Sequence, residues 1–215
     1  MEYFELLDLI EKRRSVRRFK KRDVPRDLVQ KILDLARWAP SGANFQPWEF
    51  IVVDNKEIKT KLFKILSSPT EGLSERELAR RTGFMGAPVF ILVCGDTRTK
   101  SFLPTQDPER GNSTFISSMA NVFLYIQLAV RILGLGSQWV SRVVGKQSEV
   151  KMLLGIPAPF EIYDMVAIGY PDEKPKQRSV RKVEDLVHYN RFDQHRFKSE
   201  NELGIFVREL RQSTR

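Results

Sequence analysis

Lys12-Arg13-Arg14-Ser15-Val16-Arg17-Arg18-Phe19 and, further on, Ala39-Pro40-Ser41-Gly42-Ala43-Asn44-Phe45-Gln46-Pro47-Trp48 decide how the chain is read. The first stretch crowds guanidinium groups around one hydroxyl. Arginine offers planar, two-pronged donors that suit phosphate and the carbonyl edges of a ring. The second stretch holds two prolines and a glycine, with Ser41, Asn44 and Gln46 between them. A plain turn needs one or two special residues. A loop with this many amide and hydroxyl groups is suited to a polar partner. Together the two stretches look like a cradle for a phosphorylated, planar, polar-edged ligand.

Working outward, Glu2 to Arg13 reads as a helix, with Phe4, Leu7 and Ile10 on one stripe. Asp27 to Trp38 reads as a second helix behind Pro25, with Leu28, Ile32 and Leu35 on one face. Glu49 to Asp54 and Ala87 to Cys94 read as strands covered on both faces. Asn55 to Leu66 and Glu75 to Arg81 read as helices. Gly95 to Asn112 is polar and irregular, a candidate lid or substrate loop. Ser113 to Leu133 is the longest helix, apolar nearly all round, and suits a core or a dimer interface. Ser137 to Val144 and Ile162 to Ile168 read as strands, with a short helix over Ser148 to Leu154. The remainder is expected to be a basic loop and an extended tail. Interleaved strands and helices imply one α+β or α/β layer domain.

The chain has 215 residues, enough for one sizeable core. The apolar runs around Pro88 to Cys94 are too short to span a bilayer, and no basic-then-apolar leader is evident. Cys94 is the sole cysteine and lies in a buried-looking strand, where an inert thiol is expected. A cytoplasmic protein is the expectation. The formal charge is +9, and eight of the eleven residues from Lys12 to Arg22 are Lys or Arg. Such a block suits a solvated helix end, nucleic acid or an anionic cofactor. Nucleic-acid binding would call for aromatics between the charges, and Phe19 stands alone.

Some chemistries lack their residues. His188 and His195 have no cysteine or carboxylate at metal-ligand spacing. No Gly-x-x-x-x-Gly-Lys-Ser/Thr and no Gly-x-Ser-x-Gly occurs, and Gly134-Leu135-Gly136 lacks the third glycine of a dinucleotide fingerprint. Catalysis, if any, falls to a cofactor.

The two opening stretches, with Ala87-Pro88-Val89, Gly134-Leu135-Gly136-Ser137 and Gly169-Tyr170-Pro171, resemble the nitroreductase family of FMN-dependent oxidoreductases in order and spacing. The resemblance covers roughly residues 8 to 190 and implies an α+β three-layer sandwich. Its central, mainly antiparallel sheet is flanked by helices in an intertwined homodimer with FMN at the interface. It implies a domain over 1–190 and a C-terminal extension over 191–215 packing on the partner subunit.

By the resemblance, Arg13, Ser15 and Arg17 hold the phosphate, ribityl chain and pyrimidine edge, with Arg14 contributing backbone. Pro40, Ser41 and Asn44, with Gln46, reach the flavin from the partner. Val140, Ser141 and Arg142, following Trp139, run beside flavin N5, although many relatives carry glycine or glutamate where Ser141 and Arg142 stand. Arg181, with Arg178 second, clamps the phosphate. No side chain is expected to act as a catalytic acid or base. The implied reaction is ping-pong hydride transfer from NADH or NADPH to a nitroaromatic, quinone or similar acceptor. Reductive dehalogenation is the alternative within the family, and a basic nucleic-acid-binding protein the alternative outside it.

Overall fold

The structure, a computed structural model, describes residues 2–67, 72, 74–102, 107–176 and 179–213. The chain forms two compact units, Met1–Lys174 and Pro175–Arg215. In the first, four strands form one antiparallel sheet in the order β1-β2-β4-β3. These are β1 (Trp48–Val53), β2 (Val89–Asp96), β3 (Gly136–Val140) and β4 (Phe160–Gly169). The central strand β2 is apolar from Val89 to Cys94, and β4 is apolar from Met165 onward, because both their faces are covered there. β1 differs from the reading above: it is an edge strand, and Val52 on it is exposed.

Helices α1 (Tyr3–Lys12), α2 (Arg26–Ala36) and α5 (Pro108–Ile132) pack together, and α5 lies against the sheet. Ile32, Val122, Phe123 and Ile126 meet Ile91, Val166 and Ile168 of the strands there. On α2 it is Val29, Ile32 and Ala36 that are buried, while Leu28 and Leu35 pack at the margin. On the other face, α3 (Lys56–Leu66) and α6 (Gln147–Leu154) supply Leu62, Leu66 and Val150 to a core with Phe90, Ala167 and Met165. Helix α4 (Glu75–Thr82) precedes β2. The result is a three-layer α+β unit, in which each fully buried large apolar side chain contributes roughly 1.5–3 kcal/mol. Helix α5 is long and apolar enough to cross a membrane by composition, and half of that apolar window is buried within the fold.

Three further expectations change. The strand expected over Ser137 to Val144 ends at Val140, and Ser141–Lys146 forms a 3-10 turn. Val143 turns into the second core. Beyond Val140, the Gln147 side chain takes a strand's place, accepting from Ile162 N–H at 2.9 Å and donating to its carbonyl at 3.1 Å. The irregular stretch expected over Gly95 to Asn112 is shorter. β2 continues to Asp96, Thr97–Ser101 is a 3-10 turn, and α5 starts at Pro108, capped by the Asp107 carboxylate. Residues 103–106 lie outside the described residues. In the second unit, the tail expected to be extended contains helix α7 (Glu200–Ser213). Ser199 and Glu202 cap it reciprocally, and the stretch from Arg191 onward is otherwise short turns.

Candidate functional site

After α1 the chain runs extended along the free edge of β3. Ser15 bridges Ser137 in parallel, and Val16 N–H donates to the Ser137 carbonyl at 2.8 Å. Val16 is buried there, and a Cβ on Gly136 would come within 2.6 Å of its side chain. The lack of a side chain at Gly136 therefore lets the segment lie this close. Phe19 then bridges Pro171, and Lys20 N–H donates to the Tyr170 carbonyl. Glu173 closes the corner: its carboxylate accepts from the backbone N–H of Arg17 and of Arg18. Gly83 presses on Arg17 from the other side, where a Cβ would stand 2.6 Å from its carbonyl oxygen.

This anchoring sorts the cations. Arg13, Arg14, Ser15 and Arg17 are half-buried, whereas Arg18, Lys20, Lys21 and Arg22 are exposed. Arg13 donates to the buried Gln127 of α5 at 3.4 Å, and Arg14 donates to the Arg13 carbonyl at 2.8 Å. Val140, Ser141 and Arg142 follow on the same sheet edge. Val140 is buried, Ser141 exposed and Arg142 half-buried. Burial and the nearby charge of Arg81 both push the Arg142 guanidinium below its ordinary value. The structure thus brings Arg13 to Arg17 and Val140 to Arg142 onto one edge, with cations concentrated there.

The loop of Pro40, Ser41, Asn44 and Gln46 is built differently. Ala43, Asn44 and Gln46 all have positive φ, at 48°, 56° and 47°. Non-glycine residues rarely adopt that region, and each costs about 1–3 kcal/mol. The loop is held by its own polar groups. The Ser41 hydroxyl accepts from Gln46 N–H at 3.0 Å, and the Gln46 amide donates to Asn44. Helix α5 docks it: Gly42 N–H donates to Ser118 Oγ at 3.1 Å, and Asn121 donates to the Pro40 carbonyl at 3.0 Å. A Cβ on Gly42 would overlap Thr114 at 2.0 Å. A depression beneath, lined by Gly42, Phe45 and Thr114 among others, holds about 200 Å³ open to solvent.

The two halves are far apart within one chain. Trp48, at the loop's end, is level with Gly95 on β2 and thereby with Glu161 on β4, whereas Ser137 pairs with Ile168. Strand geometry makes that about 23 Å along the sheet, and about 14 Å across its three strand spacings. Helix α5 says the same. At about 100° per residue, Thr114, Ser118 and Asn121 share one stripe, and Gln127 lies about 150° round from it. The structure therefore does not bring Pro40 to Gln46 together with Arg13 to Arg17 in a single protomer.

Of the phosphate-clamp pair, Arg178 lies outside the described residues. Arg181, in the second unit, donates to the Asp185 carbonyl at 2.6 Å and lies over the Phe206 ring. Among the described residues no three His, Cys, Asp or Glu groups could hold a metal. Cys94 is buried and its thiol is pushed up to about 12. Three further residues carry no signal of their role in the sequence. Glu173 stands two residues after the Gly-Tyr-Pro segment, and Gln127 is an amide in an apolar helix. Asp164 is a carboxylate inside an apolar strand, and burial pushes it up to about 6 against the opposing hydrogen bond from Trp139.

The family model described as the nitroreductase family matches residues 10–170. A Methanothermobacter thermautotrophicus protein named as an NADH dehydrogenase/NAD(P)H nitroreductase is 31% identical over 178 residues, 82% of each chain. The iodotyrosine deiodinase of Thermotoga neapolitana is 32% identical over 200 residues, 87% of this chain and 98% of its own. The solved FMN-dependent nitroreductase of Clostridium difficile is 29% identical with a TM-score of 0.65, spanning 86% of this chain and 99% of that one. With these matches across the sheet, the cationic edge and the strained loop, the chain belongs to the nitroreductase family.

Proposed function

We propose that the protein is a homodimeric, FMN-dependent NAD(P)H oxidoreductase whose two flavin cradles are each shared between copies. The observation that carries this reading is the diagonal separation of the two halves of the cradle. Arg13 to Arg17 sit at one corner of the sheet and the loop of Pro40 to Gln46 at the opposite one. A second copy brings one chain's loop to the other chain's cationic edge. Apolar surface for such a pairing exists: α1 buries none of its residues, Tyr3 and Phe4 are exposed, and so are Ile116 and Leu124 of α5. In this reading the extension beyond Tyr189 packs on the partner.

The residues present fit the cofactor. Half-buried guanidinium groups and the Ser15 hydroxyl suit a phosphate and a ribityl chain, while the loop presents exposed Asn44 and Gln46. When bound, flavin supplies reversible acceptance and donation of hydride. Arg13 and Arg17 hold the ligand's anionic and carbonyl edges, and a guanidinium there favours added negative charge. Backbone groups of Val140 to Arg142 orient the central ring. The reductant is NADH or NADPH, and the acceptor a nitroaromatic, quinone or similar compound. Arg178 and Arg181 are the proposed outer phosphate contacts. Steady-state oxidation of NADH and NADPH with a nitroaromatic acceptor tests this; a yellow protein inert to both would refute it. The Thermotoga relative supports a second reading, reductive dehalogenation, assayed by iodide release from iodotyrosine.

A further inference from the structure

Asp164 is a carboxylate placed where an apolar side chain would be expected. Along β4, Ile162, Met165 and Ala167 enter one core while Val166 and Ile168 enter the other. Asp164 lies between them and is only 6% exposed. One of its oxygens accepts a hydrogen bond from the Trp139 indole N–H. The other, also out of solvent, has no hydrogen-bond partner. A carboxylate so buried costs stability that a leucine would not. The Trp139 ring lies tilted against Phe123 at 4.5 Å between centroids, and Phe123 meets Tyr163 edge-on at 5.8 Å. Trp139 is nevertheless 45% exposed, so its indole is held by one hydrogen bond and one aromatic neighbour while the rest stands open. It directly precedes Val140 to Arg142.

We propose that Asp164 is a positioning residue: it fixes the Trp139 indole as a wall of the cradle beside Val140 to Arg142. The proposal rests on the flavin reading above. The indole has a rotatable side chain, and without an acceptor for its N–H it would lose the orientation that presents its open face. An amide oxygen at position 164 can accept the same hydrogen bond, whereas leucine cannot. Beside Asp164 the Tyr163 phenol titrates, and it is pushed up by burial and by the Asp164 charge. Val93 across the strand pair and Met165 beside it carry no charge.

The test compares the full-length protein with Asp164→Leu, Asp164→Asn and Trp139→Phe, first freed of cofactor and then titrated with FMN. In the cofactor-free protein, the emission lost on Trp139→Phe should change across the pH range in which Asp164 titrates. Asp164→Asn should abolish that change and keep the emission maximum, while Asp164→Leu should shift it. The FMN dissociation constant should rise about tenfold in Asp164→Leu, the weight of one aromatic contact, and stay within about twofold in Asp164→Asn. FMN binding equal to the parent's in Asp164→Leu, with Trp139 emission unmoved, overturns the proposal and leaves the flavin reading intact. A parent protein that binds no FMN overturns both.

Discussion

Replacing Asp164 by asparagine should change how stability depends on pH. Burial raises the Asp164 carboxyl from 3.8 to about 6, and the Trp139 N–H offsets only part of that effect. The folded value lies above the unfolded one, so folding takes up a proton. The stability this group contributes is fully present below pH 4, is lost as pH rises towards 6, and stays lost above. Each tenfold change in proton affinity is worth about 1.4 kcal/mol, so the whole effect is about 3 kcal/mol at most. Asparagine keeps the shape and an acceptor for the indole but has nothing to ionise. Urea unfolding of the cofactor-free protein, followed by circular dichroism from pH 4 to pH 7, gives both curves. The carboxylates of Asp96, Glu149 and Glu202, each held below its ordinary value, titrate in both proteins and cancel in the difference. Asp164→Asn should gain up to about 3 kcal/mol over the parent between pH 4 and pH 7. A difference independent of pH would refute the argument that this carboxylate is buried at a cost.

Further predictions concern the cradle and its loop. Arg17→Ala and a loop variant, Asn44→Ala with Gln46→Ala, should each bind flavin poorly alone. Unfolded and refolded together, they should recover about a quarter of the sites, because half the dimers are mixed and each mixed dimer has one intact site. No recovery on mixing would place both halves in one chain. Gly42→Ala should displace the loop by driving a methyl group into Thr114, and Thr114→Ser should restore most of the lost FMN affinity. If Gly42→Ala binds FMN as well as the parent, docking on α5 does not set the loop's position.

Much of the fold is legible because its elements obey local rules. The buried runs of β2 and β4 and the apolar stripes of α2, α3 and α5 announce themselves by periodicity. Start signals also stand in the sequence at Asp107-Pro108 ahead of α5 and at the Ser199/Glu202 pair ahead of α7. The end of β3 was not legible. Val143 and Val144 favour a strand, and only tertiary structure shows Gln147 satisfying Ile162 in their place. The site divides in the same way. Arg13, Ser15 and Arg17 are candidates from sequence because a hydroxyl among guanidinium groups is chemically pointed. Gln127, Glu173 and Asp164 are not, because their partners are remote in sequence. Arg13 and Gln127 are 114 residues apart, and Arg17 and Glu173 are 156 apart. The separation of the loop from the cationic edge is a property of strand order, which no short motif encodes.

The central claim is that the half-buried cations of one edge and the strained loop of a second copy hold a flavin. The absorbance spectrum of the purified full-length protein, before and after incubation with FMN and removal of the excess, tests it most directly. The account predicts the paired near-ultraviolet and blue bands of bound flavin, at one FMN per chain. A protein that stays colourless after reconstitution, while folded and dimeric, would contradict it.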